Sequence, residues 1–249
     1  MTLNLISFRP DFPRLMALSA REKLLPPGGD LGYALHAIFA ASFGDLSPKP
    51  FRLFEPGEPG GGPSGRLLAY STASLDALRA HAAAFADPAF SVPLRLDDAE
   101  AKAMPTEFPA GTRLGFNLRL RPVQRTGASA DGATKARERD VYVAASTASS
   151  EPTRLARIEA YTVWIERQLG RDGAARLAAA EAESLRRTRL FARDRSDDAK
   201  RNRAIDGPDV VFSGTLVIGE PAAFAALMVR GIGRFRAFGF GMLLIRPPG

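Results

Sequence analysis

Leu227-Met-Val-Arg-Gly231-Ile-Gly233-Arg-Phe-Arg-Ala-Phe-Gly239-Phe-Gly241-Met-Leu-Leu-Ile245 is the stretch on which the reading of this chain turns. Four glycines fall within the eleven residues from Gly231 to Gly241, opening backbone conformations closed to other residues and letting another chain come close. Arg234 and Arg236 alternate with Phe235, Phe238 and Phe240, and cations among π-faces on a glycine loop suit a phosphate chain that carries bases. The order of elements argues against the commoner nucleotide cradles. A P-loop follows a strand, opens a helix and carries Gly-Lys-Ser/Thr. Here a helical pattern over 221–230 precedes the glycines and an apolar, strand-like run over 242–245 follows them. Gly-Lys-Ser/Thr is absent, and Arg236 stands where a dinucleotide fold has its third glycine.

Working back from this loop, Pro221 is a good first-turn residue for the last helix, and residues 210–218 form a clean apolar strand. Residues 185–203 hold eight cations against three acids, and 185–191 reads as a basic strand. The alanine-rich run 174–183 reads as a helix, as does 153–169, where Leu155, Ile158, Val163 and Ile165 are among the apolar positions. Residues 126–139 are small, polar and basic, a composition expected to be mobile until something binds it. Over 112–123 the pattern alternates. Leu114, Phe116, Leu118 and Leu120 share one face, and Arg113, Asn117, Arg119 and Arg121 mostly the other, so one face would cover a core while the other meets a polyanion.

The first half repeats the order. Residues 2–8 alternate as a strand, and 11–25 is amphipathic up to the break at Pro26-Pro27-Gly28-Gly29. Asp30 can cap the next helix, whose apolar stripe is Leu31, Leu35, Ile38 and Phe39. Strands over 51–54 and 66–70 flank a Gly/Pro-rich connection, Ser74 caps an alanine-rich helix reaching about 85, and a further strand is expected between 103 and 109. The fold expected is α+β: two tandem ferredoxin-like (βαββαβ) domains, residues 1–110 and 111–249, with a C-terminal glycine-rich loop.

The totals narrow the partners. With 34 basic against 27 acidic residues the formal charge is +7, the pI is near 10.2, and most cations are arginine, whose planar fork matches phosphate. No cysteine is present, so thiolate zinc sites and thiol nucleophiles are excluded. His36 and His81 are the only imidazoles, too few for a multi-histidine metal centre. No signal peptide or membrane span is legible, and the expectation is a cytoplasmic protein with no cofactor and no metal.

The glycine stretch, together with Tyr33-Ala34-Leu35-His36 and Phe116-Asn-Leu-Arg-Leu-Arg-Pro122, resembles the CRISPR repeat-processing endoribonucleases, in particular the CasE subfamily of Cascade-type systems. That family's signature is a helix, a Gly-Ile-Gly-x-x-Lys-x-x-Gly-x-Gly-Leu-Leu loop and a strand. Arg236 falls on the usual lysine and keeps its charge, and Met242 falls on a usual leucine. The three matches come in the family's order and span most of the chain. Met1-Thr-Leu-Asn lacks the family's usual tyrosine and serine, and the helix before Pro26 looks like an insertion, as in a variant from a rarer CRISPR type.

The resemblance implies metal-independent cleavage of precursor CRISPR RNA at the base of each repeat hairpin. The 2′-hydroxyl attacks the neighbouring phosphate, and the ends left are a 5′-hydroxyl and a 2′,3′-cyclic phosphate. The partners implied are the repeat hairpin and the other subunits of the Cascade-type effector complex. His36 titrates near neutrality and serves as acid or base, with base preferred; Tyr33, three residues earlier, shares its helix face; Arg236 or Arg234 balances the phosphorane charge. Catalytic candidates are therefore His36, Tyr33 and Arg236. The family also places a basic hairpin near 185–203, which makes Arg186, Arg187, Arg189 and Arg193 RNA-binding candidates beside Arg119, Arg121, Gly231, Gly233, Arg234, Gly239 and Gly241. His81 reads as an exposed helix residue, Phe238 and Phe240 as packing beneath the loop, and Asp197-Asp198 as tempering self-repulsion. Two other readings stand: a non-catalytic subunit that holds the RNA hairpin, and a ferredoxin-like domain for an acidic protein partner.

Overall fold

A computed structural model describes residues 2–26, 28–105, 107–126, 137–148, 157–193 and 202–248. The first half runs β1 (Asn4–Phe8), α1 (Phe12–Arg21), α2 (Gly32–Phe43), β2 (Phe51–Phe54), β3 (Arg66–Ser71), α3 (Leu75–Phe85), α4 (Pro88–Ser91) and β4 (Glu100–Ala103). Local chemistry sets the helix starts: Asp11 accepts the amide of Arg14 at 3.1 Å, and Ser74 accepts that of Ala77 at 3.2 Å. The four strands pair antiparallel in the order β2-β3-β1-β4.

The second half runs β5 (Arg113–Leu120), β6 (Val123–Thr126), β7 (Arg137–Asp140), α5 (Val141–Ala148), α6 (Arg157–Leu169), β8 (Ala175–Arg193), β9 (Asn202–Ile218), α7 (Pro221–Arg230) and β10 (Leu243–Arg246). Its main sheet has the order β10-β5-β9-β8, while β6 and β7 pair as a separate ribbon. In both sheets the first strand lies between the third and the fourth, which is the ferredoxin-like arrangement twice over.

Strand periodicity joins the two halves. Along β3, Leu67 and Ala69 enter a core with α2 and α3, and Leu68 and Tyr70 enter a second core with Phe116, Phe212 and Phe224. At β3 the first sheet is therefore covered on both faces, which is why every β3 residue after Arg66 is buried, whereas the edge strand β4 is exposed. Tyr70 also donates its hydroxyl to the carbonyl of Leu243 at 2.9 Å, and burial pushes that phenol's pKa up.

Three expectations change. The strand expected over 103–109 ends at Ala103, because its partner β1 offers a ladder only from Asn4 to Ser7; Met104 and Phe108 then turn into the shared core. The helix expected over 174–183 is instead the first half of β8. Alanine favours helix by a few tenths of a kcal/mol per residue, but β9 would otherwise expose an apolar edge. β8 presses close against it: a Cβ on Gly214 would lie 2.0 Å from the carbonyl oxygen of Ala179. His81 is half-buried, its Nδ1 3.2 Å from the carbonyl oxygen of Ser42. Residues 127–136, Asp197-Asp198 and the start of the helix expected over 153–169 lie outside the described residues.

Candidate RNA-processing site

Helix α2 and the glycine turn meet face to face. A Cβ on Gly32 would fall 2.1 Å from the carbonyl oxygen of Phe238, so the first turn of α2 touches the backbone of the loop. Phe238 lies between the two α2 candidates: its ring stacks on Tyr33 at 6.1 Å and meets His36 edge-on at 5.1 Å. Phe191 of β8 closes on the edge of Tyr33, again at 6.1 Å. Tyr33, His36 and Phe238 are half-buried, so each keeps an exposed part. Of the two loop phenylalanines expected beneath the turn, Phe240 is fully buried; Phe238 belongs to the site.

His36 opens into a cavity of about 210 Å³ lined also by Asp45, Lys49 and Ala237. Burial, and then the charge of Lys49, hold its pKa below the ordinary imidazole value, so the ring is neutral at physiological pH. Lys49 and Ala237 also line a neighbouring open cleft of about 1080 Å³. Six cations line that cleft (Lys49, Arg125, Arg171, Arg230, Arg234 and Arg236), against one carboxylate, Glu138. The histidine cavity and the arginine cleft are thus neighbours, with Lys49 and Ala237 in the lining of both.

The turn holds its shape through its own backbone. Gly231 ends α7 at φ 73°, the amide of Ile232 donates to the carbonyl of Gly241 at 2.8 Å, and the amide of Gly241 donates to that of Arg119 at 2.8 Å. At Gly241 (φ 75°) a Cβ would meet the Ile232 oxygen at 2.1 Å, and at Gly233 (φ 73°) it would meet the Trp164 ring at 2.7 Å. Gly231, Gly233, Gly239 and Gly241, expected to give RNA room, give it first to the protein's own atoms. Arg236 donates to the carbonyl of Arg230 at 2.8 Å, which fixes it at the cleft wall, and Arg234 pairs with Glu138 at 2.6 Å. Burial, then Arg230 and Arg234, lower the Arg236 pKa, though a guanidinium keeps its proton at any ordinary pH.

Arg119 and Arg121 require a correction. Expected on an outward cationic face, they are 3% and 1% exposed. Arg119 donates to Asp209 at 2.9 and 2.6 Å and to Asp30 at 2.5 Å, and lies over the Phe240 ring at 4.5 Å. Burial lowers its pKa, but the two carboxylates outweigh burial and the net shift is upward. Asp30, read as a helix cap, does accept the amide of Gly32 at 2.7 Å; its other oxygen carries the bond from α2 to the second sheet. Arg121 braces the base of the β8–β9 hairpin, donating to the carbonyl of Ile205 at 2.8 Å. Burial pushes its pKa down to about 10.

The hairpin itself fits the expectation of a projecting basic ribbon. β5 pairs with β9 only as far as Val210, so β8 from Arg186 and β9 up to Asp209 continue as two strands alone. Arg186, Arg187 and Arg189 are exposed there. Arg186 also reaches Asp209 at 2.9 Å and Arg189 pairs with Asp206 at 3.0 Å, while no ion pair to Arg187 occurs among the described residues. The Arg193 side chain lies outside them. The amide of Asp30 donates to the Arg189 carbonyl at 2.9 Å, seating the ribbon against the start of α2. Lys49, Arg125, Arg171 and Arg230 were not singled out from sequence: they are isolated cations in four separate segments, and only the fold gathers them. Among the described residues no three His, Cys, Asp or Glu side chains gather as metal ligands, and no helix is long and apolar enough to cross a membrane.

The profile of a family described as "CRISPR associated protein" matches residues 14–247. CRISPR-associated endoribonuclease Cse3 of Thermus thermophilus is 28% identical over 170 residues, covering 65% of this chain and 69% of that protein. Among solved structures, Thermus thermophilus Cse3 bound to an RNA representing a pre-cleavage complex is similar with a TM-score of 0.58 at 20% identity, covering 99% of this chain and 100% of that one. Cas6e from Escherichia coli K-12 has a TM-score of 0.55 at 19% identity, with both chains fully covered. At these identities the structural likeness speaks for the fold.

Proposed function

The chain belongs to the CRISPR-associated protein family, and we propose that it is the endoribonuclease that cuts precursor CRISPR RNA at the base of the repeat hairpin. It retains the hairpin and takes it into a Cascade-type effector complex. Residues 1–110 and 111–249 serve as its two domains, and the cytoplasm is its place of work.

The chemistry follows from the residues at the seam. The 2′-oxygen forms a bond to the adjacent phosphorus as the bond from phosphorus to the 5′-oxygen breaks. His36, neutral because it is half-buried beside Lys49, takes the proton from the 2′-hydroxyl. Tyr33, held by Phe238 and Phe191, orients the attacking nucleotide. Arg236, fixed on the carbonyl of Arg230, offsets the charge that builds on the non-bridging oxygens. The departing 5′-oxygen takes a proton from water in the open cleft. The stem lies along Arg186, Arg187 and Arg189, which read shape and phosphate.

One observation carries this reading: Phe238 of the arginine-bearing turn contacts both Tyr33 and His36, so two motifs some 200 residues apart form one site. The test is incubation with a labelled repeat hairpin in EDTA. Cutting to a 2′,3′-cyclic phosphate that disappears in His36→Ala, with hairpin binding intact, supports the enzyme. Tight binding without cutting by the wild type returns the protein to a hairpin-holding subunit.

A further inference from the structure

We infer that the cationic cleft beyond Arg236 is a binding site for single-stranded RNA, and that it takes the strand carrying the 5′-oxygen leaving group. The inference rests on the nuclease reading for its direction. The hairpin keeps the 2′,3′-cyclic end, so the stem occupies the ribbon on the Tyr33 side of the scissile phosphate. The strand on the other side of that phosphate must leave past His36. The cationic cleft adjoins the His36 cavity on that side, with Lys49 and Ala237 in the lining of both.

The cleft has the chemistry such a strand requires. At about 1080 Å³ it exceeds the roughly 300–1,000 Å³ of ordinary small-molecule pockets. Its single carboxylate is already engaged by Arg234. Arg125 and Arg171 are exposed, and no described residue forms an ion pair with either. Arg230 has only a loose neighbour, Asp172 at 3.9 Å. Apolar surface lies between these cations. Val229 is 37% exposed, and Phe235, held at φ 60°, presents a half-buried ring at the mouth. Cations spaced along a groove with an aromatic face among them hold single strands with little regard to sequence. The deep groove of an A-form stem needs no such floor. Three further cations at the exit of a cutting site also mean that the leaving strand is held after cleavage, which slows its release and not the chemical step.

The test uses hairpin RNA with a 2′-deoxy nucleotide at the scissile position, so that binding is read without cleavage. One RNA carries about eight unpaired nucleotides beyond that position and the other a single one. Wild type is expected to bind the longer RNA more tightly, and Arg125→Ala/Arg171→Ala to bind both alike, at the wild-type affinity for the short one. Two lost surface phosphate contacts correspond to roughly a tenfold change and a salt slope smaller by about 1.4. Indifference of the wild type to the extra nucleotides overturns the inference, as does an equal loss on both RNAs in the variant. Cleavage of the 2′-hydroxyl versions separates this from the nuclease reading. Cutting that depends on His36 without any effect of the longer strand sinks the cleft alone; an effect of the longer strand without cutting sinks the nuclease alone.

Discussion

Replacing Arg119 by leucine distinguishes an RNA ligand from an internal strut. The wild-type guanidinium is buried and divides its donors between Asp209 and Asp30. Leucine leaves Asp209 with only Arg186, 53% exposed at its side chain, and Asp30 with the amide of Gly32. Removing one partner from a buried ion pair costs about 3–5 kcal/mol, and for a chain of this size the melting temperature falls by about 6–20 °C. The cost depends on pH. In the wild type burial raises the Asp209 pKa, but Arg119 and Arg186 outweigh it and hold it below the usual carboxylate value. That stability is present above the ordinary carboxylate range and is lost as the pH falls through the depressed value. Without Arg119 burial dominates, the folded-state pKa rises, and the variant's deficit is largest near neutrality and narrows on acidification. Thermal unfolding between pH 5 and 8 measures this. Hairpin affinity across a salt series, taken below the variant's melting point, gives the second readout. A strut leaves the slope of log affinity against log salt where it was, whereas a lost phosphate contact lowers it by about 0.7–0.9. A melting temperature within about 2 °C of wild type, together with a reduced slope, refutes the burial argument and restores Arg119 to the RNA.

Lys49→Ala removes the cation that helps keep His36 neutral, while Asp45 remains in the lining of its cavity. The histidine pKa then rises. With His36 as base, the acid limb of the single-turnover rate moves to higher pH; an unmoved limb refutes the assignment of Lys49, and a shift confined to the alkaline limb makes His36 the acid. On the ribbon, Arg187→Ala is expected to weaken hairpin binding and lower the salt slope by about 1. Asp206→Asn releases Arg189 and is expected to tighten binding; unchanged affinity in both variants removes the stem from this ribbon.

What was legible in sequence was whatever local pattern dictates. Ser74 capped its helix where it was expected and the glycines located a turn between helix and strand, while the amphipathic stretch before residues 26–29 formed a helix that ends already at Arg21. Residues whose role depends on a partner far along the chain were misread or missed. β5 alternates, and alternation says only that two faces differ. It cannot say that the face bearing Arg119 and Arg121 is covered by Asp209 of β9, Asp30 before α2 and the base of a hairpin. The alanines of 174–183 favour helix by propensity, yet they pair along β9 as a strand, where the missing side chain of Gly214 leaves room for the Ala179 carbonyl.

That misreading points to how the basic charge is divided. Arginines that look equivalent in sequence differ in whether a carboxylate comes with them, Arg121 standing apart as a buried one held by Thr188 and the Ile205 carbonyl. Arg52, Arg119 and Arg157 each have an acid partner in Glu58, Asp30 with Asp209, and Asp140, and they hold elements together. Arg125, Arg171 and Arg187 have none among the described residues and lie on the surface where a strand would pass. Arg186 and Arg189 stand between the two, exposed yet tied to acids of β9. Phosphate must compete with Asp209 and Asp206 for them, which favours a stem able to offer several phosphates at once over a single stray anion. Asp209 accepts both Arg186 of the ribbon and Arg119, which also donates to Asp30, so the ribbon and the start of α2 share one carboxylate network.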